Sequence, residues 1–126
     1  MSSVLLYDDP AFERHDTGMH PECADRLRAI RAELHRTGLM ERCTRPPVNR
    51  SASIEELARV HGAEQIDRVH QMADAGGGRL DPDTVVSPDS FDVARLAAGT
   101  ALDAVDRVLN GEATRAVCLI RPPGHH

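Results

Sequence analysis

The sequence predicts a layered α/β domain built on a parallel sheet. Two apolar runs of strand length stand near its ends: Val4, Leu5, Leu6 and Tyr7, then Ala116, Val117, Cys118, Leu119 and Ile120. Helical periodicity fills most of the chain between them. Strand, several helices, then strand is the pattern of parallel strands joined by helical crossovers. The second run is continuously apolar, which suits a parallel strand covered on both faces.

Each element has a local reason. The first strand ends at Asp8, Asp9 and Pro10, and a polar stretch follows to His20. Pro21 suits the first position of a helix. Cys23, Leu27, Ile30 and Leu34 recur there at helical spacing, with Arg28, Arg31 and Glu33 elsewhere on the wheel, and Gly38 stops it. Arg45, Pro46 and Pro47 break structure. Ser53 with Glu56 forms a capping-box signature for a short helix through Leu57 and Val60. Ile66, Val69 and Ala73 mark another helix, closed by Gly76, Gly77 and Gly78. Residues 79–87 read as a loop rich in Asp and Pro. Ser87 as N-cap and Pro88 in the first turn then open the clearest helix. Its expected apolar face is Phe91, Ala94, Ala98, Ala101, Leu102, Val105 and Leu109, and Asn110-Gly111 closes it.

Composition narrows the classes of function. With 126 residues, 40% hydrophobic and 28% charged, the chain fits one soluble globular domain or a piece of one. No apolar run approaches the ~18 residues of a membrane span. The N-terminus lacks a basic leader region, so a cytoplasmic location is expected and no membrane partner. The net charge of −5 argues against nucleic-acid binding and is compatible with a polyamine-like partner. All fifteen basic residues are arginine. Cys23, Cys43 and Cys118 are too far apart for a disulfide framework or a cysteine zinc site, and Cys118 reads as a small core residue. Only Tyr7, Phe12 and Phe91 are aromatic, so the core must be largely aliphatic. Two strands leave open sheet edges, so the chain is expected to be the N-terminal part of a longer protein.

The end of the second strand carries the chemistry. In open α/β folds ligands bind beyond the carboxyl ends of strands. Here the strand runs into Arg121, Pro122, Pro123, Gly124, His125 and His126. The prolines stiffen the approach, and Gly124 allows backbone shapes closed to other residues. Paired imidazoles held at one place can take and return a proton near neutral pH. Other patterns fail. His20 and Glu22 give an H-x-E without the P-C-x-x-C of zinc deaminases. The Asp81-Pro82-Asp83 stretch lacks the later ligands of an EF-hand. The three glycines follow a helix and so are no dinucleotide fingerprint. His20 reads as capping or hydrogen-bonding the first helix, and His61 as a core or loop contact. His15, His35 and His70 read as solvent-facing.

The R-P-P-G-H-H ending resembles the tandem-histidine signature of the histone deacetylase family, which includes bacterial acetoin-utilisation proteins and acetylpolyamine amidohydrolases. Three other stretches agree in order. His20-Pro21-Glu22 with Arg26-Leu27 resembles the family's H-P-E-x-x-x-R-L motif, with Ala24 in place of the usual proline. Leu57 to His61 resembles its L-x-x-V-H segment. Gly77 to Thr84, followed by Ser87-Pro88, resembles the loop and helix start of class-II-like bacterial members.

The resemblance implies a three-layer arginase/deacetylase-like fold with a mainly parallel sheet, of which residues 1–126 are the N-terminal portion of a single catalytic domain. It implies a zinc-dependent hydrolase acting on the acetamide of an acetylated lysine in a peptide or protein, or of an acetylpolyamine. Metal coordination makes water a nucleophile near neutral pH. His126 matches the general base and acid, worth roughly 10²–10⁴ in rate. His125 holds charge and hydrogen bonds near the same water. Asp83, with Thr84 as a second candidate, matches a rim position that accepts hydrogen bonds from the substrate amide; the plain alternative for Asp83 is a turn residue. Arg26 matches an arginine near the inner end of the family's channel, suited to product acetate; the plain alternative is a surface ion pair with Glu22 or Glu33. The zinc ligands are expected downstream of His126, so the fragment alone is expected to be inactive. Two further readings stay open: a non-catalytic binding module, and an unrelated α/β domain with a chance ending.

Overall fold

Alternation along one short strand organises the molecule. In the computed structural model, which describes residues 3–123, Val4–Tyr7 forms β1. Successive side chains of a strand point to opposite faces. Leu6 accordingly joins a cluster with Phe12, Leu27, Met40, Val93, Ala97 and Leu119, while Leu5 and Tyr7 join Ala104 and Ala113 on the other side. All three aromatic residues are buried.

The elements after β1 are α1 (Asp25–Arg36), α2 (Ile54–Leu57), α3 (Ala63–Asp74), β2 (Gly78–Asp81), β3 (Thr84–Val86), α4 (Ser90–Leu109) and β4 (Arg115–Cys118). β1 pairs with β4 in parallel, Leu5 opposite Ala116 and Tyr7 opposite Cys118. The Leu119 amide continues the ladder onto the Tyr7 carbonyl. On the other edge of β1, Thr44 makes an isolated parallel bridge. Asp8, just past β1, accepts two hydrogen bonds from the Arg31 guanidinium, at 2.6 and 2.7 Å, which fixes α1 against the strand. The capping box forms as the sequence predicts: Glu56 N donates to Ser53 Oγ and Ser53 N to Glu56 Oε1. Among the described residues no helix is long and apolar enough to cross a membrane.

Several expectations are corrected. The polar stretch before His20 contains a 3₁₀ turn, Pro10–Arg14, capped by Asp9 Oδ1 accepting from the Ala11 amide. Helix α1 starts at Asp25, not at Pro21. The backbone around Glu22 is engaged elsewhere, its N–H donating to His20 Nδ1 and its carbonyl accepting from Thr17 Oγ1. Residues 79–87 are not a loop: β2 and β3 form an antiparallel hairpin. The Asp and Pro residues are its tip, where Asp81 Oδ1 accepts from the Asp83 amide. Gly77 enters the hairpin with φ +103°, and a Cβ there would lie 2.6 Å from the Val86 carbonyl oxygen.

The buried stripe of α4 is also rotated from the expected one. Val93, Ala97, Thr100 and Ala104 are buried, whereas Val105 and Leu109 are exposed. The helix is apolar on most of its circumference, so periodicity alone could not choose the face. The choice was made by Gly99, where the backbone of residues 50–52 lies so close that a Cβ would sit 2.7 Å from Ala52 N. That crossing is tied by Ala52 N donating to the Arg95 carbonyl and Arg95 Nε to the Ala52 carbonyl. The Ser87 side chain does not cap the first-turn amides of α4; its carbonyl accepts from the Ser90 amide, its own amide donates to Ser90 Oγ, and its hydroxyl accepts from the Asp16 amide. Strand β4 is covered less than expected, with Val117 exposed and Cys118 half-buried. Burial still pushes the Cys118 thiol up, with a smaller push from the Asp103 charge.

Candidate active site

Arg121 follows the β4 ladder and is completely buried. A buried guanidinium must have every donor engaged and its charge met. Its Nη1 donates to the carbonyls of His15 (2.7 Å) and Phe12 (3.2 Å). Its Nε and Nη2 face the Glu22 carboxylate, with Nη2 to Oε2 at 2.8 Å and Nε to Oε1 at 3.0 Å. Two motifs separated by most of the chain thus meet in one ion pair. Burial pushes the Glu22 carboxyl up, but the Arg121 hydrogen bonds and charge outweigh it and the net shift is downward. The Arg121–Pro122 peptide is cis.

His15 sits beside this pair. It was expected at the surface and is instead buried, with Nδ1 2.7 Å from Ser90 Oγ. Burial first, and then the Arg121 charge, lower its pKa, so the ring is held neutral. Nothing near it in sequence signals this, because Ser90 and Arg121 reach it only through the fold. His20 does not cap α1: its Nδ1 accepts from the Glu22 amide (3.0 Å), ahead of the helix, and its Nε2 reaches the hairpin tip, 2.8 Å from Asp83 Oδ1. His61 is not a core contact; it is exposed at the cavity wall. His70 is half-exposed, stacked on Phe91 with ring centroids 4.2 Å apart, and His35 lies 3.5 Å from Glu41.

Asp83 and Thr84 line a cavity of about 200 Å³. His15, His20, Glu22, His61, Pro122 and Pro123 contribute to the same wall, and Val69, Leu80 and Val86 supply apolar surface. Asp83 itself is exposed, at the hairpin tip. Arg26 is not among the lining residues. Its Nη2 donates to the Ile120 carbonyl at 2.8 Å, and its Nε lies 3.6 Å from Glu22. It therefore braces the chain one residue before Arg121. His125 and His126 lie outside the described residues; the chain reaches the cavity at Pro123 and the two histidines follow in sequence. Among the described residues no group of three or more His, Cys, Asp or Glu side chains is placed to hold a metal ion.

The arrangement offers a partly apolar cavity whose wall includes a carboxylate, a hydroxyl and a Pro-Pro segment. Reading by sequence missed the Arg121–Glu22 pair and the burial of His15. An arginine at the end of an apolar run, with no acidic neighbour, is the one signal that could have pointed to a distant partner.

A family model described as the histone deacetylase domain matches residues 20–126. A histone deacetylase-like amidohydrolase of Pseudomonas aeruginosa is 44% identical over 110 residues, which cover 85% of this chain and 28% of that protein. Polyamine deacetylase HDAC10 of Rattus norvegicus is 43% identical over 128 residues, covering 97% and 20%. Among solved structures, the crystal structure of the HDA15 HD domain superposes with a TM-score of 0.91 at 32% identity, covering all of this chain and 37% of that one. The chain thus spans well under half the length of each of these relatives.

Proposed function

This chain belongs to the histone deacetylase family, and from that membership we propose that the protein carrying it hydrolyses the acetamide of acetyl-lysine or acetylpolyamine substrates. Its fold is the arginase/deacetylase fold, with the parallel β1–β4 pair as the part that leads to the site. In this reading residues 1–126 are the N-terminal portion of a single catalytic domain. The observation that carries it is the convergence of Asp83, Thr84, Pro122 and Pro123 on one cavity, with the tandem histidines next in sequence.

His126 takes the proton of the attacking water and returns it to the departing amine, while His125 holds charge and hydrogen bonds beside it. The Asp83 carboxylate accepts the N–H of the substrate amide, and Thr84 offers a second acceptor. An acetylated amine presents that N–H, and a polyamine adds cationic groups that suit the net charge of −5 of this chain. Arg26 lies outside the cavity wall, with Nη2 donating to the Ile120 carbonyl, and its proposed role toward product acetate rests on the family resemblance alone. Zinc dependence belongs to this proposal, with ligands outside residues 3–123.

The test is turnover of acetyl-lysine peptides and acetylpolyamines by the full-length protein, with and without a chelator. His126→Ala is expected to remove nearly all activity, and the chelator likewise. Activity of His126→Ala within about tenfold of wild type would be less than general acid–base help is worth and would refute the assigned role.

A further inference from the structure

We propose that His20 is a positioning residue that holds the Asp83 carboxylate in the orientation that receives the substrate amide, an inference that rests on the function proposed above.

The protonation of the ring follows from its partners. The Glu22 backbone N–H can only donate, so His20 Nδ1, 3.0 Å away, carries the lone pair. The neutral ring then bears its proton on Nε2, which donates to Asp83 Oδ1 at 2.8 Å. The tautomer is thus set by a backbone group, and the proton faces the rim.

Asp83 needs such a hold. Its side chain is 78% exposed, and an exposed aspartate is otherwise free to visit several rotamers. Asp81 Oδ1 pins its backbone amide but not its carboxylate. The His20 bond selects one orientation and engages Oδ1, and Asp83 Oδ2 has no protein partner among the described residues. His20 is itself well fixed, only 20% exposed and anchored on Glu22. Glu22 is locked in turn by the buried Arg121. Glu22 links the two ends, its carboxylate held by Arg121 and its backbone N–H by His20, and so ties the hairpin tip to the segment that leads into the tandem histidines. The rim acceptor is thereby tied to Arg121, which Pro122 and Pro123 follow at the cavity wall.

The test uses the full-length enzyme and an acetyl-lysine peptide. His20→Ala is expected to raise KM about threefold to tenfold with kcat within about twofold, the pattern of a lost binding contact. Asp83→Ala should do the same. Because one acts through the other, the double variant should be no worse than Asp83→Ala alone. His20→Gln, whose Nε2 reaches toward the same place as the imidazole Nε2, should recover part of the loss. Nitrogen-15 spectra of the wild-type rings should show His20 protonated on Nε2. Additive KM effects, or a His20 proton on Nδ1, would overturn the positioning role while leaving the proposed function standing. Absence of wild-type turnover on acetyl-lysine and acetylpolyamine substrates alike would overturn both.

Discussion

Replacing Glu22 by Gln leaves the shape of the site nearly unchanged and removes the charge that faces Arg121. The guanidinium is fully buried, and three of its five hydrogen bonds go to the Glu22 carboxylate. In the variant the amide oxygen can accept one donor, but the amide NH₂ turns a donor toward guanidinium N–H groups. Breaking a buried ion pair from one side costs about 3–5 kcal/mol. Glu22 is 22% exposed, so solvent recovers part of the loss, and about 3 kcal/mol is expected. Urea unfolding at neutral pH, followed by circular dichroism, measures it. The pH dependence adds a check. The folded carboxyl lies below its ordinary value of 4.5, so the pair stabilises the fold above that value, and the contribution is lost as pH falls through the folded pKa. Glu22→Gln should therefore be weaker than wild type near neutrality and converge with it in acid. Removing both charges with Glu22→Met and Arg121→Met should recover part of the loss, because no charge stays buried alone. A single-variant effect below about 0.5 kcal/mol, or a double variant worse than the single, would refute the reasoning.

Gly99→Ala should destabilise by about 3 kcal/mol or more or prevent folding, since the new Cβ would meet backbone of residues 50–52 and not a movable side chain; a melting temperature equal to wild type would contradict the packing described. Wild type should lose stability below pH 6.5 more steeply than His15→Asn, because the folded state resists protonating His15 while the unfolded chain accepts the proton; parallel stability curves from pH 6.5 down to about pH 5 would refute this. Ser53→Ala removes the Glu56 amide's acceptor and should cost about 1 kcal/mol, read by the same urea titration.

Much of the chain declared itself locally. The strand at Val4–Tyr7, the Ser53–Glu56 capping box, the glycines that end α1 and α3, and the parallel pairing of the two apolar runs depend on residues close in sequence or on patterns with one outcome. The resemblance that led to the family rests likewise on short contiguous motifs. The hairpin at 78–86 was misread because its Asp-Pro turn outweighed two short strands, one of which, Gly78–Asp81, has little burial to give it an alternating pattern. The face of α4 is not legible in the sequence because apolar residues occupy most of its wheel, and the close crossing at Gly99 breaks the symmetry.

Sequence by itself determined that strands would lie at Val4–Tyr7 and near Arg115–Cys118 with helices between them, and which family the chain resembles. Tertiary structure alone decided that Arg121 is neutralised by Glu22, that His15 is buried against Ser90, and that His20 reaches Asp83. Local periodicity reports the direction in which a side chain leaves its own backbone. A contact between residues sixty or more positions apart is set by how whole elements pack, and burial then determines which charges must find each other.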